Sequence, residues 1–305
     1  MPFSEEAVAE LRSIMEQSIV TDGETVARAV PGATLVVVGR DGRELFVHAA
    51  GKRGIKSQEP MTLENIMWMV SCTKMVTGLA CMQLVERGAL DNAEQVEDLC
   101  PELKDIKVLK DDGTSEDKKR DIALRVLLTH TSGFGYTFWD ETLRDWSYPV
   151  GIDELSDLED TVAVPAWRGV EIGIDWAGFV LNRKTGLPLN DFIQGNICRP
   201  FGLEHVSLLP TQVMKENLAT LHARQADGKL VSCDPLQRRP LVVETPEDVA
   251  GLFHSGGTGL FAKPREYARK SHLVSPHLPL SQGGVVSLWW KLEAAVFKHV
   301  RSAQR

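Results

Sequence analysis

A serine and a lysine stand three residues apart where an apolar helical segment begins, in MVSCTKMVTGLACMQLVERG at 69–88. Residues three apart share one face of a helix, so the Ser71 hydroxyl and the Lys74 amine can meet. Backbone N–H groups at a helix start favour negative charge that develops there. Burial lowers the pKa of a lysine, which can then accept a serine proton. Ser71 is therefore a candidate nucleophile, and Lys74 is its candidate base.

The same spacing has an ordinary structural interpretation, in which a serine caps the helix and a solvated lysine follows one turn later. The flanking residues favour burial of the pair, because they are apolar on both sides: Met67, Trp68, Met69, Val70, Met75 and Val76. Lysine is almost never fully buried unless it is paired. The flanks therefore favour the reactive pair, while the spacing alone leaves both interpretations open.

Composition argues against several functional classes. The chain has 305 residues and a formal net charge of −8, which disfavours nucleic acid and anionic membranes as partners. No stretch approaches the roughly 18 apolar residues of a membrane span. The N-terminal segment lacks the pattern of a signal peptide, so we expect a cytoplasmic protein. The five cysteines, expected to be reduced thiols, and the eight histidines show no metal-ligand spacing, so we expect no metal and no cofactor.

The hydrophobic pattern predicts an α+β fold. Residues 33–51 indicate two strands joined at Asp41-Gly42, a two-residue hairpin signal. The charge run at 110–121 is predicted to be a solvated loop rather than a binding patch. Helical periodicity and capping residues predict one helix that begins after Ser4. They predict further helices over residues 72–87, 124–136 (ending in a turn), 174–186, 191–203, 264–270 and 287–305.

Five segments, taken in order, resemble the serine β-lactamase-related family, which includes class C β-lactamases, family VIII esterases and fungal transesterases. They are MVSCTKMVTGLACMQLVERGAL, LRVLLTHTSGFGY, GIDWAGFVLNRKTGLPL, NICRPFGLEHVSLL and GGTGLFAKPREYAR. The similarity runs from about residue 5 to residue 269 and is greatest to the fungal transesterase branch.

The resemblance implies a β-lactamase/transpeptidase-like fold. An antiparallel sheet flanked by N- and C-terminal helices would be formed by residues 1–90 and 240–305, and a mostly helical insertion by residues 91–239. It also implies that Ser71 is the acylated nucleophile and Lys74 its partner in the S-x-x-K motif. Tyr136 falls in a loop that borders the substrate mouth in relatives, although a packed aromatic residue in a turn remains an alternative.

Three features depart from the family pattern. Relatives carry a catalytic tyrosine in a W-x-Y-G-x-x-x-D-W stretch, where WRGVEIGIDW places Val170. Either the tyrosine has been lost, or a short deletion beside Glu171 removed it. The K-T-G sequence at 184–186 follows a helical segment, so we interpret it as a helix end and not as an active-site strand. Relatives continue beyond Arg269 with further strands, so we expect a truncated sheet in which GGVVSLWW at 283–290 preserves one strand.

These features predict a serine hydrolase or acyltransferase that works through an acyl-enzyme. Its substrate would be a small ester, a thioester or a natural product, in secondary metabolism, and an acyl-carrying thioester could be the donor. The alternative is a catalytically inactive relative that binds a small molecule or a protein partner. The missing tyrosine and the shortened sheet favour that alternative.

Overall fold

The computed structural model describes residues 3–20, 29–39, 41–93, 96–135, 141–147, 173–233, 235, 239–243, 245–249 and 252–271. Helices and short antiparallel strands make up these residues, which confirms the predicted α+β class. Tyr136, Val170, the predicted strand at 283–290 and the predicted helix at 287–305 lie outside the described residues.

The chain divides into two compact units. The first comprises the described residues of Met1–Trp68, Pro210–Pro235 and Phe261–Arg305, and the second those of Met69–Leu209 and Leu236–Leu260. The predicted domain bounds, 1–90 with 240–305 and 91–239, stay a prediction.

The helices and strands of the first unit are α1 Glu5–Glu16, β1 Gly32–Val38, β2 Glu44–Gly51, β3 Met67–Trp68, α7 Gln212–Glu216, β7 Leu221–Arg224, β8 Leu230–Cys233, β9 Phe261–Ala262 and α10 Pro264–Ser271. Those of the second unit are α2 Thr73–Glu86, β4 Lys107–Leu109, β5 Ser115–Asp117, α3 Leu124–Leu128, α4 Glu141–Ser147, α5 Gly173–Thr185, α6 Leu189–Ile193, β6 Val206–Ser207, α8 Arg239–Val242 and α9 Pro246–Val249.

Helix α1 packs on the β1–β2 hairpin in the first unit. The Ser4 hydroxyl accepts the Ala7 N–H at 3.2 Å and caps the helix, as predicted. Leu11 and Met15 are fully buried and form a cluster with Phe46 of β2. The hydrophobic stripe therefore positions the helix on the sheet.

The predicted two-residue turn between β1 and β2 is wrong. The strands pair antiparallel from Gly32 to Val38, with a bulge between Val37 and Val38 at which Leu45 of β2 is the extra residue, and residues 39–43 connect them. The Gly39 N–H donates to the Arg43 carbonyl at 2.8 Å, which closes this longer loop. The bulge shifts the register by one residue, so a two-residue connection no longer fits.

The charge run at 110–121 is part of a hairpin and not only a loop, which corrects the prediction. Strands β4 and β5 pair antiparallel, from Lys107 with Asp117 to Leu109 with Ser115. Gly113, at a φ of 77°, allows the tight turn between them. Backbone hydrogen bonds form this hairpin although most of its side chains are exposed, so the sequence lacked the apolar alternation that marks a strand.

Helices α2 and α5 pack together in the second unit. The buried face of α2 includes Val76, Ala80, Cys81 and Leu84, and the Cys81 thiol lies 3.8 Å from the Ala177 carbonyl oxygen of α5. This contact joins the two helices in the core of the second unit.

Helix α5 ends at Thr185, and Gly186 follows with a φ of 71°. That left-handed conformation suits glycine at a helix C-terminus. The K-T-G sequence is therefore a helix end, as predicted. The predicted 191–203 helix is also present, as α6 followed by a π-helical turn, Gln194–Cys198, and a 3-10 turn, Arg199–Phe201.

Candidate active site

Ser71 lies in a strained turn. Residues Val70–Cys72 form a 3-10 turn directly before α2. Val70 has a φ of 45°, which is rare for a β-branched residue and costs of order 1–3 kcal/mol. A conformation of this cost persists only where the surrounding contacts hold it.

The contacts that hold this turn come from Thr73 and from the backbone of Leu260, both fully buried. The Thr73 hydroxyl donates to the Val70 carbonyl at 2.6 Å and accepts the Leu260 N–H at 3.0 Å. The Leu260 carbonyl in turn accepts the Met69 N–H at 2.8 Å. One backbone residue therefore anchors both sides of the turn that carries Ser71.

The Lys74 amine is directed at Ser71. Lys74 Nζ lies 3.0 Å from Ser71 Oγ and 3.0 Å from the Gly257 carbonyl oxygen. Both side chains are partly buried, and the N-cap position of α2 is taken by Cys72 rather than Ser71. The alternative of a serine cap with a solvated lysine is therefore wrong.

Burial controls the charge of the amine. Desolvation lowers the pKa of Lys74 below the ordinary 10.5, while the charges of Asp175 and Cys72 act in the opposite direction. Desolvation, followed by the charge of Lys74, lowers the pKa of His130. When the pKa of a lysine is lowered, a larger fraction of its amine is uncharged near pH 7. The uncharged amine can take a proton from a serine hydroxyl.

Asp175, at the start of α5, was not identified as a site residue from the sequence. The residue is 6% exposed, and its Oδ1 accepts hydrogen bonds from the Ser255 hydroxyl and the Gly257 N–H, each at 2.8 Å. Burial raises the pKa of Asp175, whereas these donors and Lys74 oppose the rise. The available signal was a carboxylate flanked by Ile174 and Trp176, since buried acids require partners.

The described residues hold no candidate metal centre, since no three His, Cys, Asp or Glu side chains among them come together as ligands. A surface cavity of about 400 Å³ lies beside the β4–β5 hairpin. Charged residues of both signs line it, and neither Ser71 nor Lys74 is among them, so it is separate from the serine–lysine pair. Among the described helices, none is long and apolar enough to cross a membrane.

The beta-lactamase family model matches residues 11–289, which is most of the chain. The chain belongs to the beta-lactamase family. Monacolin J acid methylbutanoyltransferase of Aspergillus terreus is 30% identical over 267 residues, covering 81% of this chain and 62% of the relative. Lovastatin esterase of Penicillium rubens is 31% identical, covering 79% and 63%. The chain thus spans less than two thirds of the length of these relatives.

Solved structures with a similar fold confirm the β-lactamase/transpeptidase-like fold. Unliganded simvastatin synthase (LovD) from Aspergillus terreus, in its selenomethionyl form, superposes with a TM-score of 0.70 at 26% identity, over 88% of this chain and 68% of that chain. EstCE1, a hydrolase with promiscuous acyltransferase activity, superposes with a TM-score of 0.64 at 19% identity. The second likeness concerns the fold alone.

Proposed function

We propose that the chain is a serine hydrolase or acyltransferase in which Ser71 is the nucleophile and Lys74 its base. The observation that carries the proposal is the 3.0 Å distance between Lys74 Nζ and Ser71 Oγ, together with the desolvation that lowers the pKa of the amine. Nucleophile and base within hydrogen-bond reach, with the base oriented by a third group, are typical of activated serines. The Gly257 carbonyl is that third group.

The reaction has two steps. The neutral Lys74 amine takes the hydroxyl proton of Ser71 while Oγ attacks the carbonyl carbon of an ester or thioester. The Lys74 ammonium then returns this proton to the leaving group, which departs as an alcohol or thiol, and the acyl group stays on Ser71. Water or the hydroxyl of a small natural product takes the acyl group in the second step and restores the serine. General base help of this kind contributes about 10²–10⁴ in rate.

The relatives support acyl chemistry of this class. One is named as a methylbutanoyltransferase of monacolin J acid, and another as an esterase of lovastatin. The proposed substrate is accordingly a small ester or acyl thioester, with an alcohol as acceptor when transfer occurs. An acyl-carrying thioester partner is part of this proposal, as is a role in secondary metabolism.

A second candidate, a catalytically inactive binding protein, is favoured by Val170. It stands where the relatives' W-x-Y-G-x-x-x-D-W stretch has tyrosine, and an aliphatic side chain exchanges no proton. This position lies outside the described residues. In such a protein the serine–lysine pair would persist while turnover is lost.

Covalent labelling separates the two candidates. We expect a fluorophosphonate probe to modify the folded protein at Ser71, as read by intact and peptide mass spectrometry, and p-nitrophenyl esters to be hydrolysed. Ser71→Ala abolishes both signals, whereas Ser232→Ala, at an exposed serine of β8, retains them. A protein that is folded by circular dichroism yet unlabelled favours the inactive relative. Acyl transfer is distinguished from hydrolysis by an ester product when an acyl thioester and an alcohol are both supplied.

A further inference from the structure

A hydrogen-bonded path connects Ser71 to a buried carboxylate. Ser71 Oγ and Lys74 Nζ are 3.0 Å apart, and Lys74 Nζ donates to the Gly257 carbonyl at 3.0 Å. The N–H of Gly257 donates to Asp175 Oδ1 at 2.8 Å. Gly257 therefore touches the lysine with one backbone group and the aspartate with the other.

The carboxylate holds the whole turn at 255–258. The Ser255 hydroxyl donates to Asp175 Oδ1 and accepts the Thr258 N–H at 2.9 Å, while Ser255 itself is 1% exposed. A Cβ placed on Gly257 would lie 2.7 Å from Asp175 Oδ2. Glycine is required at that position because the carboxylate occupies the space next to it.

We propose that Asp175 is a positioning residue for Lys74, which acts through the Gly257 backbone and supplies the counter-charge for the lysine ammonium. The inference rests on the proposed acyl-enzyme function. In the first step the Ser71 O–H bond breaks and an N–H bond forms on Lys74, so the amine becomes a cation. A carboxylate in the same buried region lowers the energy of that cation, because charges interact more strongly where water is excluded.

Other titratable groups also act on Lys74. Cys72, on the same turn as Ser71, favours the protonated amine, as Asp175 does. His130, in the turn after α3, is influenced by the Lys74 charge. A test of Asp175 must therefore separate its effect from titration of the imidazole.

The decisive variant is Asp175→Asn, which keeps the side-chain shape and an oxygen that accepts from Ser255 and Gly257 but removes the charge. The rate of fluorophosphonate labelling is measured against pH. The charge of Asp175 favours protonated Lys74, so its removal moves the acidic limb of the pH–rate profile to lower pH. The plateau rate falls several-fold, because the amine is then a weaker base. An unchanged limb in Asp175→Asn overturns the inference.

A matched control is Glu97→Gln. Glu97 is a buried carboxylate of the same unit, 4% exposed, which accepts the Ile122 N–H at 2.9 Å and pairs with Lys118. We expect the loss of the Glu97 charge to leave both the acidic limb and the plateau of the pH–rate profile for labelling unchanged. His130→Gln, made alone and with Asp175→Asn, removes the imidazole from the profile, and the shift caused by Asp175→Asn persists.

A second readout needs no catalysis. Trace acetylation of Lys74 by acetic anhydride, followed by peptide mass spectrometry across pH, reports the pKa of the amine directly. The pKa is expected to be lower in Asp175→Asn than in the wild-type protein, and equal values contradict the inference. An unlabelled wild-type protein whose Lys74 pKa still responds to Asp175→Asn counts against the proposed function and supports the link between the two residues.

Discussion

The Thr73 hydroxyl donates to the carbonyl oxygen of Val70 at 2.6 Å, across the turn that carries Ser71. The same hydroxyl accepts the Leu260 N–H at 3.0 Å. Thr73 is fully buried, so it stabilises a backbone conformation that a valine avoids. The position of Ser71, the proposed nucleophile, therefore depends on a neighbour that takes no part in the proposed chemistry.

Removal of this hydroxyl tests that dependence. Thr73→Val keeps the shape but leaves the Val70 carbonyl and the Leu260 N–H without their partner, at a cost of about 1–3 kcal/mol in unfolding free energy. Labelling of Ser71 falls by about tenfold or more, because a displaced nucleophile loses its geometry. Urea unfolding and labelling rates are the measurements.

Ser207→Ala is the control for Thr73→Val. The Ser207 hydroxyl in β6 is also buried and donates to the Leu209 carbonyl at 2.7 Å. We expect a similar loss of stability with unchanged labelling. Wild-type labelling in Thr73→Val contradicts the proposed role of the hydroxyl.

The base is tested by Lys74→Arg. A guanidinium stays protonated at all accessible pH values, so labelling falls by about 10²–10⁴. In the proposed mechanism the neutral amine is the active form, so labelling of the wild-type protein is expected to rise as pH passes upward through the Lys74 pKa, which lies below 10.5. Labelling rates measured across pH are expected to show this rise in the wild-type protein and no such rise in Lys74→Arg.

Lys184→Arg is the matched substitution, at an exposed lysine in the last turn of α5. We expect Lys184→Arg to have the same labelling rate as the wild-type protein and the same rise of that rate with pH, because the K-T-G sequence is a helix end. A large loss of labelling in Lys184→Arg would place this lysine at the site and refute that interpretation.

Two glycines that differ in their surroundings give opposite effects. Gly257→Ala places a Cβ 2.7 Å from Asp175 Oδ2, so we expect a loss of about 1–3 kcal/mol in stability and slower labelling. Gly78 lies within α2, where an added Cβ would meet no atom within 4 Å, and Gly78→Ala gains about 0.5–1 kcal/mol. Chemical unfolding of both variants measures the contrast, and equal effects would be inconsistent with the crowding at Gly257.

The sequence predicted correctly those structural elements whose signals lie within a few neighbouring residues. Ser4 as a cap, Gly186 as a helix terminator and the helix predicted over 72–87, observed as α2, are all confirmed. The connection at 39–43 and the β4–β5 hairpin were mispredicted. A bulge changes register without a clear sequence mark, and a hairpin with exposed side chains has no apolar alternation to reveal it.

The sequence by itself determined that Ser71 and Lys74 can meet, because a spacing of three on one helical segment brings them to the same face. Its ordered motifs also indicated the family. Only the tertiary structure decided what surrounds the pair. Gly257 lies 183 residues along the chain from Lys74, and Asp175 lies 82 residues from Gly257. Their contacts come from the packing of separate segments, which no local spacing specifies. This packing partly buries the Lys74 amine, and the desolvation lowers its pKa.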